Sequence, residues 1–207
     1  MREIRVLGLV GSSSPTSTTR AALSVSLRAA RRAGAHTRLL SPADIGLPLF
    51  EPHSGRRADL DNPLFREVSE ADGIVLATPA YHGAMSSHLK SMLDHVEMLR
   101  DDVRPYFTDR AVGCVAVGDG WQGAVSALAS LRVSVHALRG WPTPLGAAVN
   151  GSGCAFDGDR CDDLRLQQQL EAVGEQVVRF AVMQRAVSAA PVPADDRPPV
   201  PSIATSR

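Results

Sequence analysis

Hydroxyl side chains crowd one short segment near the start of the chain. Residues 11–19 read GSSSPTSTT, after an apolar run that ends at Val10 and before a helical pattern. Hydroxyl groups and the free backbone N–H groups at a helix start are donors that bind phosphate in proteins. The segment therefore predicts a phosphate site, with these candidate ligands: Ser12, Ser14, Ser17, Thr18 and Thr19.

The residue types that this segment lacks indicate which kind of phosphate it would bind. The segment has neither the glycine spacing of a dinucleotide-binding fingerprint nor the Gly-Lys-Ser/Thr of a nucleoside triphosphate loop. Hydroxyls would then take the place of lysine and magnesium, which indicates a monophosphate such as that of FMN. The alternative is a serine-rich turn in which Ser17 only caps the helix, and this segment alone does not separate the two interpretations.

A glycine-rich segment, GDGWQG at residues 118–123, formally matches the G-x-G-x-x-G pattern. In a dinucleotide-binding fold that pattern follows the first strand, and an acidic residue lies about twenty positions later. Here the pattern follows a later apolar run, and no carboxylate lies between Arg139 and Pro144. The segment is therefore either a ligand-binding loop of another kind or a plain glycine-rich turn.

Apolar runs and helical stripes alternate along the chain and place these segments on a sheet. The runs predict strands at residues 4–10, 36–40, 73–78, 111–117 and 141–149, with the third strand ending at Pro79. Helical stripes lie between them and after the last one. Such alternation is typical of a parallel sheet with helices on both faces, in which ligands bind at the carboxyl ends of the strands.

Composition and charge argue against some classes of binding partner. The chain has 207 residues, 44% of them hydrophobic and 21% charged, which suits a single domain. Its formal net charge is zero, and no basic segment stands out, so we expect neither a nucleic-acid nor a membrane partner. The first apolar run is too short for a signal peptide, which predicts a cytoplasmic protein. We expect the domain to span residues 1–187, before a disordered proline- and alanine-rich tail at residues 188–207.

Histidines and cysteines supply two further groups that could do chemistry but lack suitable spacing. His82, His88 and His95 lie near one predicted helix without the i, i+4 pair of a zinc helix. The three cysteines are odd in number and show no CxxC spacing. The sequence therefore predicts neither a metal site nor a disulfide framework.

The loop after the third strand carries the most specific signal. Residues 78–83, TPAYHG, and the following helix resemble the Thr-Pro-Glu-Tyr-Asn-Gly and Leu-Lys-x-x-Leu-Asp signatures of the NADPH-dependent FMN reductases. Ala80 stands in place of the glutamate and His82 in place of the asparagine. The matching residues are Thr78, Pro79, Tyr81, Gly83, Leu89, Lys90, Leu93 and Asp94.

The hydroxyl-rich first loop resembles the same family's Gly-Ser-x-Arg-x-x-Ser motif. Gly11, Ser12 and Ser17 occupy matching positions, and Ser14 stands where a basic residue is usual. Because Ser14 supplies no charge, we expect looser holding of the flavin than in a relative with arginine there. The resemblance as a whole runs from about Arg2 to Val187.

This resemblance implies an α/β, flavodoxin-like fold with a five-stranded parallel sheet of order 2-1-3-4-5 and helices on both faces. It implies that FMN and NADPH, or NADH, are the cofactors and that the five hydroxyl residues of the first segment hold the FMN phosphate. No catalytic side chain is implied, because the flavin carries the redox chemistry. The remaining implied flavin contacts are Pro79, Ala80, Tyr81, His82 and Gly83 along the ring and ribityl chain, and Gly118, Asp119 and Gly120 at the pyrimidine side.

Three functions compete at this point. The leading one is an NAD(P)H-dependent FMN oxidoreductase, whose reduced flavin could supply a partner monooxygenase. The second is a reductase with bound FMN that acts on quinones, azo dyes or similar small-molecule acceptors. The third is a flavodoxin-like electron carrier, against which the zero net charge argues because flavodoxins are usually acidic. The resemblance also implies a homodimer or tetramer, assembled through the helix at residues 86–99.

Overall fold

The computed structural model describes residues 2–51 and 61–189 of the chain. Of the tail predicted over residues 188–207, only Ser188 and Ala189 fall within this part, where they end the last helix. The rest of that tail lies outside the described residues. In the part that the structure describes, no helix is long and apolar enough to cross a membrane.

The described residues form one large sheet and one small hairpin. The strands are β1 (Ile4–Val10), β2 (Ala35–Leu40), β3 (Gly73–Tyr81), β4 (Ala84–Met85), β5 (Ala111–Gly118), β6 (Trp141–Pro142), β7 (Ala147–Asn150), β8 (Phe156–Asp157) and β9 (Arg160–Cys161). The large sheet has the order β2-β1-β3-β5-β6, and all of these pairs are parallel. Strand β7 also pairs with β5 in parallel, and β4 pairs antiparallel with β3. This confirms the predicted flavodoxin-like order, with the fifth position shared by β6 and β7.

Helices cover both faces of this sheet. They are α1 (Thr18–Arg32), α2 (Pro42–Ile45), α3 (Pro63–Glu70), α4 (Ser87–His95), α5 (Trp121–Ala137) and α6 (Leu164–Ala189), with 3-10 turns at Val96–Leu99 and Gly151–Gly153. Alternate residues of β3 pack into two separate cores, Val75 beneath α1 and α6, and Leu76 beneath α3, α4 and α5. Burial on both faces explains why the third strand is a continuous apolar run.

Two strand boundaries differ from the expectation. Strand β3 does not end at Pro79, because Pro79 still lies opposite Val117 of β5 and Tyr81 then pairs with Ala84 in a hairpin. The strand expected over residues 141–149 is two short strands, β6 and β7. Pro142 and Pro144 have no N–H to donate to a sheet ladder, which explains why pairing is interrupted between β6 and β7.

The crossing of α1 and α6 leaves no room for a side chain at Gly174. A Cβ built there would lie 2.0 Å from the carbonyl oxygen of Ser26 and 2.8 Å from its carbonyl carbon. The Ser26 hydroxyl also donates a 2.7 Å hydrogen bond to the carbonyl of Leu170, which joins the same two helices. This contact fixes the packing of α1 against α6, the two helices that cover the same face of the sheet.

Substituting Gly174→Ala should therefore lower the free energy of unfolding. Overpacking against backbone atoms costs about 3 kcal/mol, and the better helix propensity of alanine offsets only about 1 kcal/mol of it. Urea unfolding measures the difference, with Glu175→Ala on the exposed side of the same helix as the matched control, expected within about 0.5 kcal/mol of the parent. Equal stability of both variants would contradict the close crossing.

Candidate functional site

Four loops meet at the carboxyl end of the large sheet. They are the first loop (residues 11–17, after β1), the second loop (residues 79–86, the β3–β4 hairpin), the third loop (residues 118–121, after β5) and the fourth loop (residues 150–153, after β7). In open parallel sheets, ligands bind at this edge, near the point where the strand order reverses. Neighbouring loops contact one another, and the fourth lies near the start of α1.

Ser86 joins the first loop to the second. Its hydroxyl donates to the carbonyl of Gly11 at 2.7 Å and accepts the N–H of Leu89 at 3.2 Å, which caps α4. The Ser86 N–H donates to Thr78 Oγ1 at 2.9 Å. A Cβ on Gly11 would lie 2.5 Å from Ser86 Oγ, so this contact requires glycine. Ser86 is 1% exposed, so these bonds are made out of water and hold the two loops in one arrangement.

Ala80 joins the second loop to the third. A Cβ on Gly118 would lie 3.3 Å from Ala80 Cβ and 3.1 Å from the backbone nitrogen of Ala124. The packing of α5 onto the strands is therefore enough to explain why residue 118 is glycine, and no ligand is needed to explain it. At Gly120 a Cβ would meet nothing within 4 Å, so the third loop is open there.

The fourth loop completes the arrangement. Ser152 Oγ lies 3.2 Å from the carbonyl oxygen of Asp119 and 2.8 Å from Asn150 Oδ1, and its single proton serves one of them at a time. A Cβ on Gly151 would lie 3.9 Å from Thr18 Cγ2, at the start of α1. The four loops therefore lie side by side, with the fourth near the start of α1, and we call this group the four-loop ring.

Hydrogen bonds within the first loop are mostly long. Ser17 Oγ accepts the N–H of Arg20 at 3.2 Å and caps α1. Ser12 Oγ accepts the N–H of Ser14 at 3.4 Å, and Ser14 Oγ lies 3.4 Å from Thr16 Oγ1. Exposed bonds of this length are exchanged easily for bonds to a ligand.

The start of α1 has free donors. Among residues 2–51 and 61–189, the N–H groups of Thr18 and Thr19 have no hydrogen-bond partner, and the first turn carries no acidic residue. Thr19 is only 3% exposed and Thr18 is half-buried, so Thr18 is the more accessible of the two residues. Free N–H groups at a helix start carry partial positive charge and favour an anion.

His82 and Gly83 form the tight turn of the second loop. Their φ angles are 53° and 81°, and the flanking Tyr81 and Ala84 are paired. Two positive φ angles are typical of the two-residue hairpin turn that prefers Asn-Gly, and histidine tolerates this conformation better than most residues. The turn alone thus explains a histidine in place of asparagine. Tyr81 is 61% exposed beside it.

A cavity of about 680 Å³ opens beside the first loop, between α1 and residues 154–159. Arg20 lines this cavity. Hydrogen bonds from Ser41 are the main cause that holds the pKa of Asp44 below its usual value, and the positive charge of Arg20 acts in the same direction. Arg20 follows the first loop closely in sequence, so a cation borders the cavity on the side of this loop.

All of the predicted site residues lie at this edge of the sheet, in the first three loops or at the start of α1. Sequence reasoning missed the fourth loop and the joining role of Ser86. Asn150 and Ser152 directly follow the last predicted strand. Their position at its carboxyl end was the sequence signal that could have identified them. Nothing in the sequence marked Ser86, because its role depends on a contact between distant segments.

The three histidines near α4 lie in different surroundings. His95 is 6% exposed, its Nδ1 lies 2.8 Å from the Ser91 carbonyl oxygen, and its ring centroid is 5.3 Å from that of Phe50. His82 and His88 are exposed. Within the described residues, no group of three or more His, Cys, Asp or Glu side chains could hold a metal ion.

Comparison with known proteins identifies relatives. A family model described as NADPH-dependent FMN reductase matches residues 4–153. The chain is 34% identical over 107 residues to an NADPH azoreductase of Bacillus sp. (strain OY1-2), a match that covers 51% of this chain and 56% of that protein. It is 28% identical over 187 residues to the NADPH-dependent FMN reductase ArsH of Shigella flexneri, covering 88% of this chain and 70% of that protein.

A solved structure with the same fold is that of FerB from Paracoccus denitrificans, a flavoenzyme NAD(P)H:(acceptor) oxidoreductase. It superposes with a TM-score of 0.66 at 16% identity and covers 87% of this chain and 98% of that one. At this identity the likeness supports the fold alone.

Substituting Ser86→Ala should lower the free energy of unfolding by about 2 kcal/mol, because α4 loses its cap and the buried Gly11 carbonyl loses its donor. Thermal or urea unfolding measures the change. Ser87→Ala, at the exposed neighbouring position, is the matched control and should stay within about 0.5 kcal/mol of the parent. If the two variants are equally stable, Ser86 does not join the loops as described.

Proposed function

The chain belongs to the NADPH-dependent FMN reductase family, and from this membership we propose that it is an NAD(P)H-dependent FMN oxidoreductase whose flavin site is the four-loop ring. The observation that carries the proposal is the extent of the family match. Residues 4–153 include all four loops and every strand from which they extend.

The first loop and the start of α1 fit the FMN phosphate. The N–H groups of Thr18 and Thr19, which have no partner among residues 2–51 and 61–189, and the hydroxyls of Ser12 and Ser14 are donors. No acidic residue in the first turn of α1 opposes an anion. Ser17 would act mainly through its cap, which holds the helix start in place. The phosphate would thus be bound largely by neutral donors and the helix dipole.

The second and third loops fit the rest of the flavin. Residues 79–83 would lie along the ring and ribityl chain, with the turn at His82 and Gly83 holding the backbone of the second loop in place. The third loop would contribute backbone groups at the pyrimidine side, where the open space at Gly120 leaves room for a ligand.

Bound FMN would supply the redox chemistry, as an acceptor at N5 of hydride from NAD(P)H and a donor of electrons to the next acceptor. The residues of this chain bind and orient the flavin, and none of them needs to act as an acid or base. The exposed side chain of Tyr81 and the open third loop leave room for a nicotinamide or an acceptor at the ring face.

The final acceptor separates two versions of this function. If reduced FMN leaves the protein as the product, the protein would supply reduced flavin to a monooxygenase. A retained flavin would fit reduction of azo dyes or quinones, which the similarity to an NADPH azoreductase favours. A phosphate site without a cation in its loop supports weaker retention and therefore the first version.

An apolar surface on α5 supports assembly into a homodimer. Trp121, Val125 and Val133 lie on this helix with exposures of 62%, 54% and 68%. The helix that the resemblance implied as the interface is less suitable, because Met92 and His95 of α4 are only 4% and 6% exposed. We therefore place the interface on α5.

FMN binding and NAD(P)H oxidation test the proposed function. Purified protein should oxidise NADPH or NADH when FMN is present, and Ser14→Arg should bind FMN about tenfold more tightly through a charge-assisted bond to the phosphate. Flavin fluorescence measures binding, and cofactor absorbance measures oxidation. Ser13→Arg places the same charge on the neighbouring exposed residue and should change the affinity less. Absence of FMN binding by the parent would contradict the proposal.

Sedimentation at micromolar concentration tests the assembly. The parent protein should sediment as a dimer or larger species, and Val125→Arg should shift it to the monomer by placing a charge in the apolar interface. Val103→Arg is the control, since Val103 is 97% exposed on a different segment. A monomeric parent would rule out the α5 interface.

A further inference from the structure

The cavity of about 680 Å³ beside the first loop runs along one face of α1, and we call it the α1 cavity. Residues 156–159 of the small hairpin line the opposite wall. A cavity of this volume has room for a small organic molecule. The polar helix-side residues that line it are Ser17, Arg20, Ser24 and Arg31. Their spacings of three, four and seven residues place them on the same side of the helix.

Arg20 is an unpaired cation in this cavity. Within residues 2–51 and 61–189, its guanidinium takes part in no ion pair and no hydrogen bond, whereas its backbone N–H is bound to Ser17 Oγ at 3.2 Å. The carboxylate of Asp44, on which the charge of Arg20 acts without an ion pair, is already hydrogen-bonded to Ser41. An arginine without a partner is available to an anionic ligand.

The other charged groups of the cavity are already engaged. Asp159 is the only acidic residue among the described residues that line it, and its Oδ2 lies 3.5 Å from Nε of Arg28. Arg31 Nη1 donates to Thr37 Oγ1 at 2.9 Å. The cation that is free to bind a ligand is therefore Arg20.

Two further side chains of the cavity indicate the kind of anion. The hydroxyl of Ser24, one helical turn after Arg20, has no hydrogen-bond partner in the described part of the chain. A guanidinium and a hydroxyl together are suitable donors to a phosphate. Phe156 is half-buried against the core, and the part of its ring that lines the cavity is an apolar surface for a planar base. Phosphate and base are two parts of a nucleotide.

Other occupants fit the α1 cavity less well. A metal ion would face the positive charge of Arg20, and the described residues contain no group of three or more suitable ligands. An apolar solute would displace water from the guanidinium and the hydroxyl without replacing its hydrogen bonds. An inorganic anion would fill only a small part of the volume.

We propose that the α1 cavity binds the phosphate-bearing end of a nucleotide, with Arg20 and Ser24 holding a phosphate monoester and Phe156 stacking against the base. The site is distinct from the proposed flavin phosphate site, because it uses side chains along α1 rather than the N–H groups of Thr18 and Thr19. The adenosine 2′-phosphate of NADPH and a free nucleoside monophosphate are two sources of this chemistry. The probes 2′-AMP and 5′-AMP represent them.

The first source would make Arg20 a specificity-determining residue, and this part rests on the proposed function. NADPH differs from NADH only in the phosphate on the adenosine 2′-oxygen. A guanidinium that binds this phosphate lowers the KM for NADPH and leaves the KM for NADH unchanged. Residues 15–17 of the first loop line the same cavity, so a dinucleotide held there would lie beside the proposed flavin site.

Calorimetric titration of the full chain without flavin tests the nucleotide site. The parent should bind 2′-AMP, and Arg20→Gln should weaken this binding about tenfold through the loss of charge-assisted bonds. Arg31→Gln is the matched control, because it removes the same charge from the same face about 16 Å further along the helix, and it should change the affinity by less than about twofold. No binding of either nucleotide by the parent, or equal effects of the two variants, overturns the proposal.

Further probes separate the base from the phosphate. Phe156→Leu keeps an apolar side chain but removes the ring, and it should weaken 2′-AMP binding about fivefold while leaving the affinity for inorganic phosphate unchanged. Tighter binding of 2′-AMP than of 5′-AMP supports the NADPH source, whereas equal or tighter binding of 5′-AMP supports a free nucleotide. Inorganic phosphate that binds as tightly as 2′-AMP overturns the assignment of a nucleotide.

Competition with FMN separates this site from the flavin site. The affinity for 2′-AMP should stay within about twofold when FMN is saturating, and Arg20→Gln should leave the affinity for FMN within about twofold of the parent. If FMN displaces 2′-AMP and Arg20→Gln weakens both ligands equally, Arg20 belongs to the flavin phosphate site and the proposal is overturned.

Steady-state oxidation of the two cofactors tests the link to NADPH. Arg20→Gln should raise the KM for NADPH about tenfold and leave kcat and the KM for NADH unchanged. Equal changes with both cofactors overturn this link. If the protein binds 2′-AMP but oxidises neither cofactor in the presence of FMN, the proposed function fails while the nucleotide site stands.

Discussion

The hydrogen bond from the Ser86 hydroxyl to the Gly11 carbonyl holds together two parts of the chain on which the site depends. The first loop and the β3–β4 hairpin come from strands far apart in sequence, and this buried bond of 2.7 Å keeps them in contact. The contact needs glycine at position 11, and the same serine caps α4. Gly118 packs closely against Ala80, and Ser152 Oγ lies within hydrogen-bond distance of the Asp119 carbonyl, so the remaining loops are joined as well. The ring is thus held by short side chains and by glycines that leave space for backbone atoms.

At the first loop, the groups that stabilise the helix start differ from the groups that could bind an anion. Ser17 caps α1, whereas the N–H groups of Thr18 and Thr19 remain free among the described residues. The two interpretations of the hydroxyl-rich segment are therefore compatible, because the cap positions the donors that an anion would use. In the proposed site, the lack of a cation at position 14 would weaken the hold on the phosphate and favour exchange of the flavin.

Sequence patterns predicted the sheet well because its central strands are buried on both faces. The run from Gly73 to Thr78 is continuous and apolar for that reason. The β3–β4 hairpin was missed because its turn has His82 where the usual signal is asparagine before glycine. The break between β6 and β7 follows from two prolines, and the contacts of Ser86 and Ser152 depend on loops that only the fold brings together.

The claim that the four-loop ring holds the flavin with its phosphate at the start of α1 is tested most directly by a crystal structure of the protein with FMN. The account predicts phosphate oxygens within hydrogen-bond distance of the Thr18 and Thr19 N–H groups, and the flavin ring between the second and third loops. A phosphate bound at the start of α5, or a flavin bound outside the four loops, would contradict it.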